Sequence, residues 1–537
     1  MKKYRLPILS GILIGTSYIP FPPWALFFCL TPLFYFWWKR AERAQEAFIA
    51  GWLTQFVLNL IGFHWITYTA VEFGHFPWWF AVIVLIGFAA IAHLYYPVSG
   101  WLSFLLLKRF NIQGPAQVFV YALSFCLCDI LFTKIFPWHL GYPWLWANWP
   151  GAQFADVIGF EGLAYVTVIA NALITWSVVE GLLVWRQARS KRKAWAILAA
   201  AAALVTAVNL AGWGREAPWK EADAELRALL IQGNIGNIEK YMAEIQATYR
   251  LPIVQKYAKL SREAHEQFPE AHVMVWPETA FPRYLDAEFN SPLAQEVRAL
   301  VRELRLPLIT GSYSASFNSR DTYNGLFYLD SDGGLTIPPY RKTILLVFGE
   351  KFPLSDYIPY MDIFFPNQGS FSQGSGPTVW TLNLNAGSTE PLQVRVGPQI
   401  CYEGLYPWFS AEMSRKGAQI FVNVTNDSWF GTTFEPYQHL YMTFARAIEF
   451  RRPLIRSTNT GITTVMLASG EILQQSPLEE EWTSMFRVPY QTQPEHTLYE
   501  RYGFLWPWIL ASLLVLTVGF GVRFERGRNT SILTERS

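Results

Sequence analysis

The chain has 537 residues, 52% of them hydrophobic, 17% aromatic and 16% charged, with a formal net charge of +2. So apolar a composition, in a chain long enough for two or three domains, implies a membrane part joined to a water-soluble part, and the small net charge excludes a basic nucleic-acid binder. Four cysteines without a CxxC pair exclude a disulfide scaffold, and eight histidines without an HxxxH spacing offer no metal site, so neither a metal nor another cofactor is expected.

In chain order, apolar runs predict helices at about 7–20, 24–38, 47–71, 78–107, 115–136, 160–185 and 194–212, with an eighth at about 503–522. The first two are short and are either a hairpin broken at Pro20, Pro22 and Pro23 or one buried segment. Lys2, Lys3 and Arg5 precede an apolar stretch as in a signal peptide, but no small-residue cleavage site follows, so the segment is read as retained. Basic residues cluster at Lys39/Arg40/Arg43, Lys108/Arg109, Arg186 to Lys193 and Arg523/Arg526/Arg528, whereas the loops at 20–23, 72–77 and 137–159 hold no Lys or Arg. The positive-inside rule then puts both termini in the cytoplasm. The expected organisation is a transmembrane domain at 1–213, a water-soluble domain at 214–502 on the far side, and a last helix with a cytoplasmic tail at 503–537. In a two-membrane bacterium that far side is the periplasm.

The outer segment 137–149 is an aromatic run, either an interfacial belt or a lipid-facing wall of a site. Within 214–502, strand-like runs occur at 227–232, 272–276, 306–310, 326–329, 392–396, 419–424, 455–458 and 463–467. Helical stretches fall at about 237–267, 292–304 and 436–451, which makes this an α/β or α+β domain. The Pro-, Gly-, Ser- and Phe-rich segment 352–378 reads as a long loop of the kind that forms lids.

Three residues here carry chemical potential. Cys401 is the only cysteine outside the apolar segments, follows a strand and precedes a helix-like stretch. A helix N-terminus there would favour the thiolate and offer N–H groups to an oxyanion; the plainer alternative is a buried structural cysteine. Glu278 also follows a strand, and walls of Trp276 and Phe281 would raise its pKa and make it a base; the alternative is a capping residue before a turn. Lys342 enters an apolar run, where burial is costly unless it meets an anion; the alternative is a snorkelling surface lysine.

The order Glu278, Lys342, Cys401, each beside or after a strand, resembles the three signatures of the carbon-nitrogen hydrolase (nitrilase) superfamily. With the flanking apolar helices, nearly the whole chain resembles the apolipoprotein N-acyltransferase family. The resemblance rests on Pro20 to Pro23, Gly141-Tyr-Pro-Trp144, Gln232-Gly-Asn-Ile235, Phe348-Gly-Glu350, Cys401-Tyr-Glu403, Asn426-Asp-Ser-Trp-Phe-Gly431 and Thr458-Asn-Thr-Gly-Ile462. It implies a transmembrane domain of about eight helices plus a nitrilase-like αββα sandwich. It further implies transfer of an acyl chain from a membrane phospholipid to the α-amino group of a diacylglyceryl-cysteine at the N-terminus of apolipoproteins, through a thioester. The implied partners are the phospholipid donor, the apolipoprotein acceptor and membrane lipids, with no nucleic acid and a monomeric enzyme.

By this resemblance Glu278 is the general base, Cys401 the nucleophile and Lys342 the oxyanion stabiliser. Glu350 would orient Lys342 or the incoming amine, Glu403 would brace the pocket, and Tyr402 matches a further important position. Asn324 matches a polar position near the site or is a plain turn asparagine. Trp429 and Phe430 match a mobile aromatic element, and Gly141 and Trp144 lie in the membrane-side motif; Trp144 and Phe430 are otherwise belt or core residues. Three positions depart from the family pattern: Ile344 and Val347 replace the usual His and Pro, and Tyr241 replaces a Trp. Rival readings are a membrane-tethered amidase, a paralogue with another acyl acceptor, an inactive scaffold, and a transporter.

Overall fold

The prolines at 20, 22 and 23 decide how the chain begins. The computed structural model describes residues 2–183, 188–315, 321–347, 349–351, 371–384 and 392–534, and divides into two units, Met1–Arg215 with Leu498–Ser537, and Glu216–Thr497. In the first unit the two expected early helices shrink to Arg5–Gly15 and Thr31–Lys39. Between them the chain is turn-like, and its backbone is satisfied from the side. Asn171 Oδ1 accepts the Leu30 N–H at 2.8 Å and its Nδ2 donates to the Leu26 carbonyl at 3.0 Å, while the Ser17 hydroxyl accepts the Ala25 N–H at 3.1 Å. Irregular backbone among apolar helices persists only where such partners exist.

Four stretches among the described residues are long and apolar enough to cross a membrane: Trp78–Arg109, Pro150–Gly181, Lys191–Trp219 and Leu498–Arg523. A fifth exists if Ala44–Gly62 and Ile66–Glu72, bent by 56°, form one span. This is fewer than the eight helices expected. The first two are proline-broken, and Ala116–Leu131 has 16 residues, short of the roughly 20 a straight span needs. Near the end of that helix Asp129 is neutralised by Lys134 at 2.7 Å.

Among the described residues the second unit has twelve strands: β1 (Ala224–Gln232), β2 (Val273–Val275), β3 (Phe281–Tyr284), β4 (Leu308–Ala315), β5 (Thr322–Leu329), β6 (Tyr340–Arg341), β7 (Trp380–Leu384), β8 (Leu392–Ile400), β9 (Ile420–Thr425), β10 (Leu454–Thr458), β11 (Thr464–Met466) and β12 (Trp482–Tyr490). One sheet runs β12-β1-β2-β4-β5-β6 with β3 on β4, and the other runs β11-β10-β9-β8-β7. Both are mixed: β1-β2-β4 and β8-β9-β10 are parallel, and the edges are antiparallel. Strands β3, β6, β7 and β12 were not expected. β3 contains a proline and β6 is only two residues long, so neither shows a strand pattern. The helix expected at 237–267 is two, Asn237–Ile245 and Arg250–Gln267, parted by a 3₁₀ turn.

The sheets face each other. On β10 the Ser457 hydroxyl reaches the β2 carbonyl of Val275 at 3.4 Å, and Thr458 and Thr463 both donate to Gln232 Oε1 at the end of β1. Helices Arg250–Gln267 and Pro292–Leu304 cover the first sheet, packing Val254, Tyr257, Val297 and Leu300 into one core with Met274 and Trp276. Pro407–Arg415 and Glu435–Phe450 cover the second, the former tied to β8 by Gln399 Nε2 and Ser410 Oγ at 2.8 Å. The result is a helix–sheet–sheet–helix sandwich. Its parallel strands β2, β8 and β9 end close together, and the loops that leave those ends carry the polar residues described next.

Candidate active site

Glu278 stands three residues beyond β2, and the neighbouring strand makes room for its turn. A Cβ on Gly311 of β4 would lie 2.5 Å from the Glu278 Cα, so only glycine fits there. The Glu278 carboxylate is almost fully enclosed and has three donors. Oε1 accepts from Asn324 Nδ2 at 2.6 Å and faces Lys342 Nζ at 3.3 Å, and Oε2 accepts the Asn426 N–H at 2.8 Å. Lys342, 1% exposed, donates to Glu350 Oε1 at 2.8 Å. Asn324 Nδ2 also bonds Glu350 Oε1 at 2.9 Å, so one amide and one ammonium join both carboxylates. Glu350 Oε2 accepts the Leu346 N–H at 2.9 Å. Burial opposes the charge on Lys342, but Glu278 and Glu350 outweigh it and raise its pKa, keeping it an ammonium.

Cys401 follows β8 directly and opens a 3₁₀ turn, Cys401–Leu405, with φ +53°. A cysteine in the left-handed region is strained by about 1 kcal/mol or more and persists only where its surroundings hold it. Its carbonyl is held by Asn423 Nδ2 at 3.1 Å. The expected thiolate is not favoured in the resting site. Burial pushes the thiol pKa well up, Glu278 adds to that, and Lys342 and a hydrogen bond from Thr425 only partly oppose it. A short 3₁₀ turn gives little dipole, so desolvation wins.

Glu403 shows why the cysteine turn and the lysine loop keep one geometry. Its Oε1 accepts from the Tyr340 hydroxyl at 2.5 Å and from the N–H groups of Thr343 at 2.6 Å and Ile344 at 3.1 Å. Its Oε2 accepts the Ile400 N–H at 2.8 Å. Burial pushes this carboxyl up to about 7 against those donors. The bond from Ile344 is a backbone bond, so the departure from histidine at that position leaves it intact.

The remaining expected residues are more dispersed. Tyr402 is buried, and its hydroxyl accepts from Tyr406 at 2.6 Å. Phe430 is buried and Trp429 half-buried in the turn after β9. Tyr241 is exposed on the helix whose Lys240 donates to Thr279 Oγ1 at 3.0 Å and to the Glu278 carbonyl at 3.4 Å. Gly141 and Trp144 belong to the first unit. There Trp144 is fully buried and donates to Thr167 Oγ1 at 2.9 Å, and a Cβ on Gly141 would lie 1.8 Å from the Phe160 carbonyl. Val347 pairs with Lys351 in an isolated bridge, while Phe348 and residues 352–370 of the expected lid lie outside the described residues.

Behind Cys401 lies a polar cluster that sequence reading missed. Arg456 donates to Asp427 Oδ2 and to Asn423 Oδ1, both at 2.8 Å, and His439 Nδ1 lies 3.1 Å from Asp427 Oδ1 and 3.5 Å from Glu435 Oε1. All five side chains are buried. Asp427, Glu435 and His439 bring metal-ligand atoms together, but the Arg456 guanidinium already supplies a cation there. Burial opposes charge on Asp427, yet Arg456 and His439 hold its carboxyl well below the usual range. Glu435 is pushed up by burial and by Asp427. The available signal was an asparagine and an arginine inside apolar strands, since buried polar groups demand partners.

Residues 230–493 match the carbon-nitrogen hydrolase family, and residues 10–173 match the apolipoprotein N-acyltransferase N-terminal domain. The chain is 45% identical to an apolipoprotein N-acyltransferase of Bdellovibrio bacteriovorus, over 98% of this chain and 95% of that protein. It is 29% identical to one of Geobacter metallireducens, over 97% of this chain and 95% of that protein.

Proposed function

This chain belongs to the apolipoprotein N-acyltransferase family, and from that premise we propose how its site works. It is a bacterial membrane acyltransferase that N-acylates lipoproteins, with phospholipid and lipoprotein as substrates. In our reading Glu278 takes the proton of the Cys401 thiol, and the thiolate attacks an acyl ester of the phospholipid. Lys342 and backbone N–H groups neutralise the tetrahedral oxyanion. Collapse expels a lysophospholipid, whose oxygen takes the proton from Glu278, and a thioester remains on Cys401. In the second half-reaction the α-amine of the diacylglyceryl-cysteine attacks the thioester and Glu278 takes its proton. The amide forms, and that proton returns to the cysteine sulfur.

The observation that carries this reading is the shared grip on Glu278. Asn324, Lys342 and the Asn426 N–H all bond its two oxygens, beside a thiol that burial keeps protonated. Such a carboxylate is fixed in place and is needed. Glu350 holds Lys342, and Glu403 braces the loop between Lys342 and the cysteine turn. Tyr402, Trp429, Phe430, Tyr241, Gly141 and Trp144 remain candidates for shaping the lipid pocket.

We further propose a monomer in the inner membrane with eight crossings, the shorter early helices and Ala116–Leu131 included. Segments 1–213 and 503–537 would form the membrane part and 214–502 a periplasmic catalytic domain. Basic residues concentrated in alternate loops, with Lys134 on an outer one paired to Asp129, support both termini being cytoplasmic. The direct test of the function is Cys401→Ala or Cys401→Ser in membranes supplied with an apolipoprotein. Acylation should stop, and acylation at the wild-type rate would overturn the mechanism.

A further inference from the structure

Arg456 lies in the middle of β10, paired in register with Asn423 on β9, and is fully buried. Its two terminal nitrogens serve different partners. One donates to Asn423 Oδ1 at 2.8 Å, and the Asn423 amide in turn donates to the Cys401 carbonyl at 3.1 Å. The other donates to Asp427 Oδ2 at 2.8 Å. Asp427 anchors the turn after β9, in which the preceding residue, Asn426, gives its N–H to Glu278 Oε2 at 2.8 Å. A Cβ on Gly461 would lie 2.1 Å from that same Asp427 oxygen, so the space around the ion pair is closed. One guanidinium is therefore the common root of two branches. The first ends on the strained backbone of the nucleophile and the second on the carboxylate of the base.

We infer that Arg456 is a positioning residue that sets the Cys401 turn and the Glu278 carboxylate relative to each other without touching substrate. The inference rests on those two residues being nucleophile and base. The fork matters as well as the charge. A lysine keeps a cation beside Asp427, but its ammonium stops one bond short of the guanidinium's terminal nitrogens and lacks the fork that also holds Asn423. Relieved of its carbonyl tether, Cys401 relaxes from φ +53° toward the ordinary region and its thiol turns away.

The test compares Arg456→Lys, Asn423→Ala and the double variant in the full-length, detergent-solubilised enzyme. Each single variant should lower kcat for acyl transfer at least 10-fold with KM for phospholipid within twofold. Each should also slow alkylation of Cys401 by iodoacetamide by a similar factor. The double variant should lose no more than the worse single, because both act through one branch. Asn423→Ala leaves the Arg456–Asp427 pair intact, so it carries the test if Arg456→Lys does not fold. Wild-type-like kcat and alkylation in a folded variant, an effect confined to KM, or losses that multiply would each overturn the inference. Alkylation reports how the thiol is presented and does not need it to carry an acyl group. Failure of the proposed chemistry would instead show as acyl transfer by Cys401→Ala.

Discussion

Lys342 Nζ lies closer to Glu350 Oε1, at 2.8 Å, than to Glu278 Oε1, at 3.3 Å. The ammonium thus makes its shorter hydrogen bond to the carboxylate assigned no proton transfer. Replacing Glu350 by Gln removes the charge that competes with Glu278 for Lys342 and leaves a single amide oxygen to serve either Lys342 or the Leu346 N–H. We expect kcat to fall by about 10²-fold, equivalent to about 3 kcal/mol of transition-state stabilisation, with a smaller change in KM. Steady-state acyl transfer from a fluorescent phospholipid measures both, and an unchanged kcat would remove Glu350 from the account.

Asn324 provides an amide that both carboxylates share. Asn324→Asp adds a third negative charge to an enclosed site and should abolish detectable transfer. Asn324→Ala should retain a small residue of activity, because Lys342 still bridges the two acids. The order of the two variants is the informative result in a side-by-side assay, and a more active Asn324→Asp would refute this role.

Glu403 yields a pH prediction. Its carboxyl is raised to about 7 by burial, so the folded protein holds a proton that the unfolded chain has released at that pH. The associated stabilisation is complete below the ordinary carboxyl range and is lost as pH rises through about 7. Its size is on the order of 3 kcal/mol. Glu403→Gln cannot titrate. Thermal melts at pH 5 and pH 8 should therefore show the wild type losing more stability over that interval than the variant. Equal losses would contradict the assignment.

Gly461 faces Asp427 with no room for a side chain, since a Cβ would lie 2.1 Å from Oδ2. Gly461→Ala must displace the Arg456–Asp427 pair and should destabilise the fold by about 1–3 kcal/mol. A melting temperature within a degree of wild type would show that the pair has slack.

The residues at strand ends were the legible part of this site. Cys401 directly follows β8 and Glu278 stands three residues beyond β2, so a strand-like run with a reactive group just after it marks them both. Lys342 was marked by its entry into an apolar run and Glu350 only by the motif around it, because a two-residue strand such as Tyr340–Arg341 has no pattern to read. Asn423 and Arg456 escaped notice because their partners are supplied across the sheet and by the turn after β9, and sequence spacing carries no trace of that. The thiolate expected for Cys401 failed for a different reason. The sequence showed a turn that could have been helical, whereas the depth of burial that dominates the thiol is a property of the packed sandwich. The early helices, expected to stop at 20 and resume at 24, were overextended because residues 16–20 and 24–30 are apolar enough to read as helix, whereas the chain on either side of the prolines is turn-like.

The central claim is that Cys401 carries the acyl group between the two substrates. Intact-protein mass spectrometry after incubation with phospholipid alone tests it most directly. The account predicts one added acyl mass on the Cys401 peptide, removed by hydroxylamine and by addition of a diacylglyceryl-cysteine peptide, and absent from Cys401→Ala. Formation of the acylated peptide with no such adduct, or with an adduct that resists hydroxylamine, would contradict it.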